Sequence, residues 1–161
     1  MNKEEILDEI NKTKEHLANM EKMLEKGDEM WKPEKGEMFY YLNSYNIAIS
    51  ETWDASCSDA EHYNIYNCFK TREQAEQEAE KILIRRQLED IARRLNKGQE
   101  IDWYNSEQSK YCIELYCNNI ITNFYLAHKT QGTVYCLDKN FKDVVIKEIG
   151  KERLKAYLGG E

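Results

Sequence analysis

The chain says nearly the same thing twice, and that repetition limits its fold more than any other feature. Cys68-Phe69-Lys70-Thr71 leads into a helix-like stretch ending near Ile82, and Tyr135-Cys136-Leu137-Asp138 leads into another ending at Ile149, at a constant offset of 67 residues. In that frame Thr71 matches Asp138, both helix N-cap residue types, while Ala79 matches Ile146 and Ile82 matches Ile149. A Trp starts a tyrosine-rich, strand-like region ahead of each stretch. Trp31 precedes Met38-Phe39-Tyr40-Tyr41-Leu42, and Trp103 precedes Tyr111-Cys112-Ile113-Glu114-Leu115. The expected architecture is therefore α+β: an N-terminal coiled-coil-like helix (1–28), a first antiparallel βββα module (29–98) with a long helix over 71–96, and a second βββα module (99–161) with C-terminal helices.

The leading segment has its own pattern. Ile6, Ile10, Thr13, Leu17, Met20 and Leu24 are spaced as a heptad seam with one polar position, and Gly27-Asp28 makes a stop. So narrow a stripe suits helix-on-helix packing. It can join a second copy in a homodimer, for which Ile6, Ile10, Leu17, Met20 and Leu24 are the oligomerisation residues, or pack on the long helix.

In the first module Met38–Leu42 reads as a strand, Asn43-Ser44-Tyr45-Asn46 as a hairpin turn and Ile47–Ser50 as the returning strand. Residues 51–62 lack periodicity and are expected to be an irregular acidic loop, after which 63–69 is expected to form a third strand. Thr71-Arg72-Glu73-Gln74 fits a capping box. The helix that follows sets Ala75, Ala79, Ile82 and Leu83 on one face and Ile84, Leu88, Ile91 and Leu95 on the opposite one, so it is expected to pack against two different things, the first half on the first module's sheet. Asn96-Lys97-Gly98 supplies the stop. In the second module 111–116, 120–127 and 133–137 read as strands, with a turn at Asn118-Asn119, a helix capped by Asp138, an interruption at Gly150 and a short last helix using Leu154 and Leu158.

Charge and cysteine usage narrow the function. The formal net charge is −7, and it is unevenly placed: 4 basic against 12 acidic residues over 28–80, but 14 basic against 11 acidic over 81–161. An acidic surface repels phosphate backbones, so no direct nucleic-acid contact is expected of the first module. The N-terminal residues are charged at once, with no signal-peptide pattern, and no apolar run reaches the length of a membrane span, so a cytoplasmic protein is expected. Five cysteines with no CxxC pair read as small apolar residues, and Cys112 with Cys117 is the nearest approach to metal-ligand spacing; no metal and no cofactor is expected.

The chemistry-bearing residues do not assemble into a reaction. His62 sits beside Asp59 and Glu61, which is acid–base material, yet neighbours in a polar loop need not converge. Cys57 lies among acids that oppose thiolate formation. Arg85-Arg86 and Arg93-Arg94 are spaced to pair with Glu89 and Asp90 on their own helix. Trp53 stands outside any apolar pattern, so Trp53, Asp54, Asp59, Glu61 and Glu51 are the expected partner-binding residues, an aromatic anchor among carboxylates.

The segments WKPEKGEMFYYLN, NCFKTREQAEQEAEKI and VIKEIGKERLKAYL resemble a loose group of small proteins from phages and prophages of low-GC Gram-positive bacteria. Such proteins pair a W-x-P-x-x-G-x-x-Y-Y opening with an N-x-F-K-T-x-x-E-A-E helix start and an I-G-x-x-x-L-K-x-Y-L end. Here Gln74 stands where many of them carry Glu, and Cys68 sits just before the Phe. The group brings no catalytic residues with it. The resemblance implies mobile-element origin and a non-enzymatic inhibitor that covers a host protein, for instance a restriction or CRISPR effector. A binder that sequesters a nucleotide signal through aromatic stacking and the Arg pairs, or a dimeric scaffold, is the alternative.

Overall fold

The computed structural model describes residues 31–159; the expected leading helix, with its seam Ile6, Ile10, Leu17, Met20 and Leu24, lies outside the described residues. The described chain is α+β, with two antiparallel two-stranded sheets and four helices. In order these are β1 (Met38–Leu42), β2 (Ala48–Thr52), α1 (Cys57–Asn64), α2 (Arg72–Asn96), β3 (Lys110–Tyr116), β4 (Asn119–Tyr125), α3 (Phe141–Ile149) and α4 (Lys151–Gly159). They divide into two compact units, one made of residues 31–41 and 50–70, the other of 42–49 and 71–159. The long helix α2 groups with the chain that follows it and with the tip of the first hairpin (42–49).

The expected third strands shrink to single bridges. Tyr40 pairs with Phe69, each N–H donating to the other's carbonyl at 2.9 and 2.8 Å, and Tyr111 pairs with Cys136 at 2.7 and 2.8 Å. Phe69 and Cys136 are themselves 67 residues apart. In the first unit the reason is local. Residues 63 and 64 finish α1, and 65–67 close it with paired bonds from Tyr66 N–H to the Tyr63 carbonyl and from Asn67 N–H to the His62 carbonyl, the pattern of a Schellman stop. Too little chain remains before the Thr71 cap to extend the sheet.

That α1 exists at all corrects the expected loop. Ser56 is its N-cap and Asp59 its N3 residue, and each side chain bonds the other's backbone N–H. The helix carries no apolar stripe, so periodicity could not reveal it. The long helix begins as expected, with Thr71 Oγ1 accepting from Gln74 N–H and Gln74 Oε1 from Thr71 N–H, both at 3.2 Å. It ends at Asn96 as expected, with Lys97 in the left-handed conformation (φ 51°) at the cap. The second short helix starts later than expected. Asn140 is the N-cap of α3, while Asp138 acts one turn earlier, its carboxylate accepting from Asn140 N–H and its carbonyl from Phe141 N–H.

The core of the second unit joins Ile84, Leu88, Ile91 and Ala92 of α2 with Ile113 and Ile120 of the sheet, Cys136, Phe141, Val145 and Ile149 of α3, and Leu154 of α4. The face Ile84-Leu88-Ile91-Leu95 packs into this core, while on the opposite face Ala75 is buried and Leu83 is exposed. The β3–β4 hairpin turns at Cys117-Asn118, both with positive φ (46° and 59°), one residue earlier than expected.

Two polar contacts hold the connections of this unit. Lys110 is fully buried, its Nζ donating to the carbonyls of Asn105 at 2.6 Å and Leu126 at 2.8 Å and lying over the Trp103 ring at 5.6 Å. Asn96, at the last turn of α2, accepts the Leu137 N–H at 2.8 Å and the Cys136 thiol at 3.3 Å. Asn96→Leu leaves that N–H without its acceptor, so chemical denaturation is expected to show a loss of about 1–3 kcal/mol.

Candidate functional site

The expected partner-binding segment belongs wholly to the first unit, and the structure sorts its five residues into two kinds. Trp53 is 5% exposed: its ring meets Phe39 edge-on at 5.6 Å and Tyr63 at 6.3 Å, in a small core completed by Cys68, Trp31 and Tyr41. It is placed there by the base of the β1–β2 hairpin, where Trp53 N–H donates to the Glu37 carbonyl and the Trp53 carbonyl accepts from Gly36 N–H, both at 2.8 Å. Asp59 is 1% exposed, and one of its oxygens accepts from Asp54 N–H at 2.8 Å and Ser56 N–H at 3.4 Å. Neither residue is on the surface. Both are corrected from anchor and charge to framework.

Glu51, Asp54 and Glu61 are exposed, as the binding reading requires. Asp54 accepts from Ser56 N–H at 2.8 Å, and this bond first, then the Ser56 side chain, holds its carboxyl below the ordinary value. Residues 53–56 thus form a rigid lead into α1, with Ala55 in the left-handed region at φ 63°. His62 does not meet the carboxylates in a proton-relay geometry. It stacks on Tyr41 at 4.0 Å with the rings 26° apart, and its Nδ1 is buried with no hydrogen-bond partner among the described residues.

Two surface residues escaped the sequence reading. Ile65 and Tyr66, expected to lie in a strand, instead form the closing turn of α1 and are exposed, Tyr66 at 76%. Tyr66 has φ 60°, the left-handed conformation that glycine occupies without penalty and that costs another residue roughly 1 kcal/mol. The signal for it was faint: a capping box at Ser56 and Asp59 sets where a short helix starts, but nothing local says where it stops. Ile65 stands one turn after Glu61, on the same side of α1. The exposed set is thus Glu51, Asp54, Glu61, Ile65 and Tyr66.

The second unit holds the other cluster of reactive groups. On the face of the sheet away from Ile113 and Ile120, Glu114 accepts from the Tyr125 hydroxyl at 2.9 Å, from Asn123 Nδ2 at 3.1 Å and from the Cys112 thiol at 3.7 Å. Burial first, and then the Glu114 charge, push the Cys112 thiol up to about 12, and the same carboxylate raises the Tyr125 hydroxyl. A thiol held so far up stays protonated near neutral pH and is no nucleophile. Burial also raises Cys68, to about 11, and Cys136. Among the described residues no three His, Cys, Asp or Glu side chains gather as a metal-binding group, and no helix is long and apolar enough to cross a membrane.

Of the arginine pairs, Arg85, Arg93 and Arg94 are committed within their own unit. Arg85 bonds Glu89 and the Gly132 carbonyl, Arg93 bonds Asp90, and Arg94 bonds Asp90 and Glu148. A nucleotide phosphate would have to compete with these carboxylates.

Three measurements follow from this sorting. Trp53→Ala is expected to cost about 3–5 kcal/mol in a denaturation midpoint, as for other buried aromatics. Asp59→Ala is expected to cost about 1–2 kcal/mol through the lost cap, while Glu61→Ala stays within about 0.5 kcal/mol. A thiol reagent at mildly alkaline pH is expected to titrate Cys57 and Cys117 in the native chain and all 5 cysteines only in denaturant. Comparison of the chain with protein-family models, with curated proteins and with solved structures finds no match.

Proposed function

We propose that the chain is a non-enzymatic binding protein of phage or mobile-element type that inhibits a host bacterial protein by covering part of its surface. The observation that carries this reading is Tyr66, an aromatic ring kept in solvent at a helix stop where glycine would cost less. Strain of this kind persists at positions used for contact. Glu61, Asp54 and Glu51 are exposed carboxylates of the same unit, so the partner surface combines an apolar seat with basic residues. The resemblance to small phage accessory proteins supports the inhibitor role, and the cytoplasm of the bacterial host is the compartment it implies.

The architecture is read in the same spirit. The two halves are copies of one plan, a hairpin whose first strand is bridged by the residue that leads into a helix, preceded by a coiled-coil-type helix over 3–26. The matching bridges at Phe69 and Cys136 support the duplication.

Tyr66→Gly separates binding from folding. The variant is expected to gain about 1 kcal/mol in stability, because glycine relieves the left-handed strain. It is also expected to release the host protein that the unaltered chain captures from lysate, with Glu61→Lys releasing it as well. Capture that is equal in all three proteins, or insensitive to added salt, would sink the reading.

A further inference from the structure

The second hairpin has one edge in use and, among the described residues, one edge unpaired. In its register Tyr116 faces Asn119 across the two-residue turn, so pairs 116/119, 114/121, 112/123 and 110/125 exchange hydrogen bonds, while Leu115, Ile113 and Tyr111 direct their backbone groups outward from β3. Tyr111 uses that freedom to bond Cys136. On β4 the corresponding residues are Ile120, Thr122 and Phe124, and among the described residues no backbone group pairs with them on that side. Phe124 N–H alone is occupied, by the Asn123 side chain at 2.9 Å.

Native proteins guard such an edge with charge, proline or a bulge. The first hairpin follows this rule, since β2 carries exposed Glu51. The second does not: β4 reads NIITNFY, seven residues without a charge, a proline or a glycine, and the whole stretch 115–127 is free of Asp, Glu, Lys and Arg. Large apolar side chains surround it in solvent, with Phe124 57% and Tyr116 67% exposed. An edge left this way is a template for another strand.

We infer that β4 is a homodimerisation edge that pairs antiparallel with β4 of a second copy, joining the two hairpins into one four-stranded sheet. The occupant follows from charge. Two chains of net charge −7 repel wherever their charged surfaces meet, and this strand is a place where they touch without like charges opposed. A foreign strand would find no charge on the edge to steer it. The strand is also self-complementary: a two-fold axis at Thr122 sets Thr122 against its own copy and Ile120 against Phe124, a β-branched with aromatic pairing of the kind that stabilises sheets. Each facing pair exchanges two N–H···O bonds, and Asn123 gives up the Phe124 N–H to complete the ladder.

Sedimentation of the full chain from micromolar to submillimolar concentration tests the inference, together with Thr122→Lys, Thr122→Pro and Leu17→Lys. The Thr122 side chain is exposed, so Lys is tolerated, and its N–H points to the free edge, so Pro removes no bond from the β3 ladder. The unaltered chain and Leu17→Lys are expected to reach dimer mass at the upper concentrations, while both Thr122 variants stay monomeric with an unchanged circular dichroism spectrum. Amide exchange at Ile120 and Thr122 is expected to slow about tenfold or more as the dimer forms. A chain that is monomeric throughout, a dimer that survives both Thr122 variants, or one lost only with Leu17→Lys would overturn the inference.

Discussion

The second unit depends on how residues 136 and 137 are held. Cys136 exchanges both backbone bonds with Tyr111 of the hairpin, while Leu137 N–H and the Cys136 thiol turn to Asn96 at the end of α2. One dipeptide is thereby bonded to a strand on one side and to a helix end on the other. A helix terminus always leaves carbonyls and a cap to be accommodated, and here the side chain at that terminus is spent on fixing a neighbouring segment. The start of α3 is then set, and Phe141, Val145 and Ile149 enter a core already lined by Ile84, Leu88 and Ile91. A single bridge suffices because the helices, not a wider sheet, supply the buried apolar area.

The first unit uses the same bridge, Tyr40 with Phe69, but spends its connection differently. Between β2 and the bridge it inserts α1, and the insertion requires a buried carboxylate at Asp59 to satisfy the backbone of the lead-in. Burying a carboxylate is costly unless its oxygens are bonded, and here backbone N–H groups provide those bonds. The acidic character of the segment therefore has two sources that composition cannot distinguish. Asp59 is acidic because a tight turn needs an acceptor, and Glu61 is acidic on a face that meets solvent.

Trp53 illustrates the same ambiguity for an aromatic. Its neighbours in sequence are polar, so local pattern assigns it to the surface. Its direction is decided by pairing with Glu37 and Gly36, sixteen and seventeen residues earlier in the chain, which turns the ring toward Phe39. Lys110 is the converse case. A lysine at the start of a strand reads as exposed, yet it is the best-buried cation of the described chain because two carbonyls and an indole converge on it.

The sequence by itself determined what depends on a single turn or a single stripe: the hairpins, the Thr71 capping box, the break at Gly150 and the intrahelical partners of the arginines. These are interactions between residues at most a few positions apart, so spacing alone carries them. Only the tertiary structure decided which polar groups are buried, that the third strands are bridges, and which strand edge and which aromatic rings are left in solvent. Those outcomes rest on which distant backbone groups meet, and spacing along the chain holds no record of that.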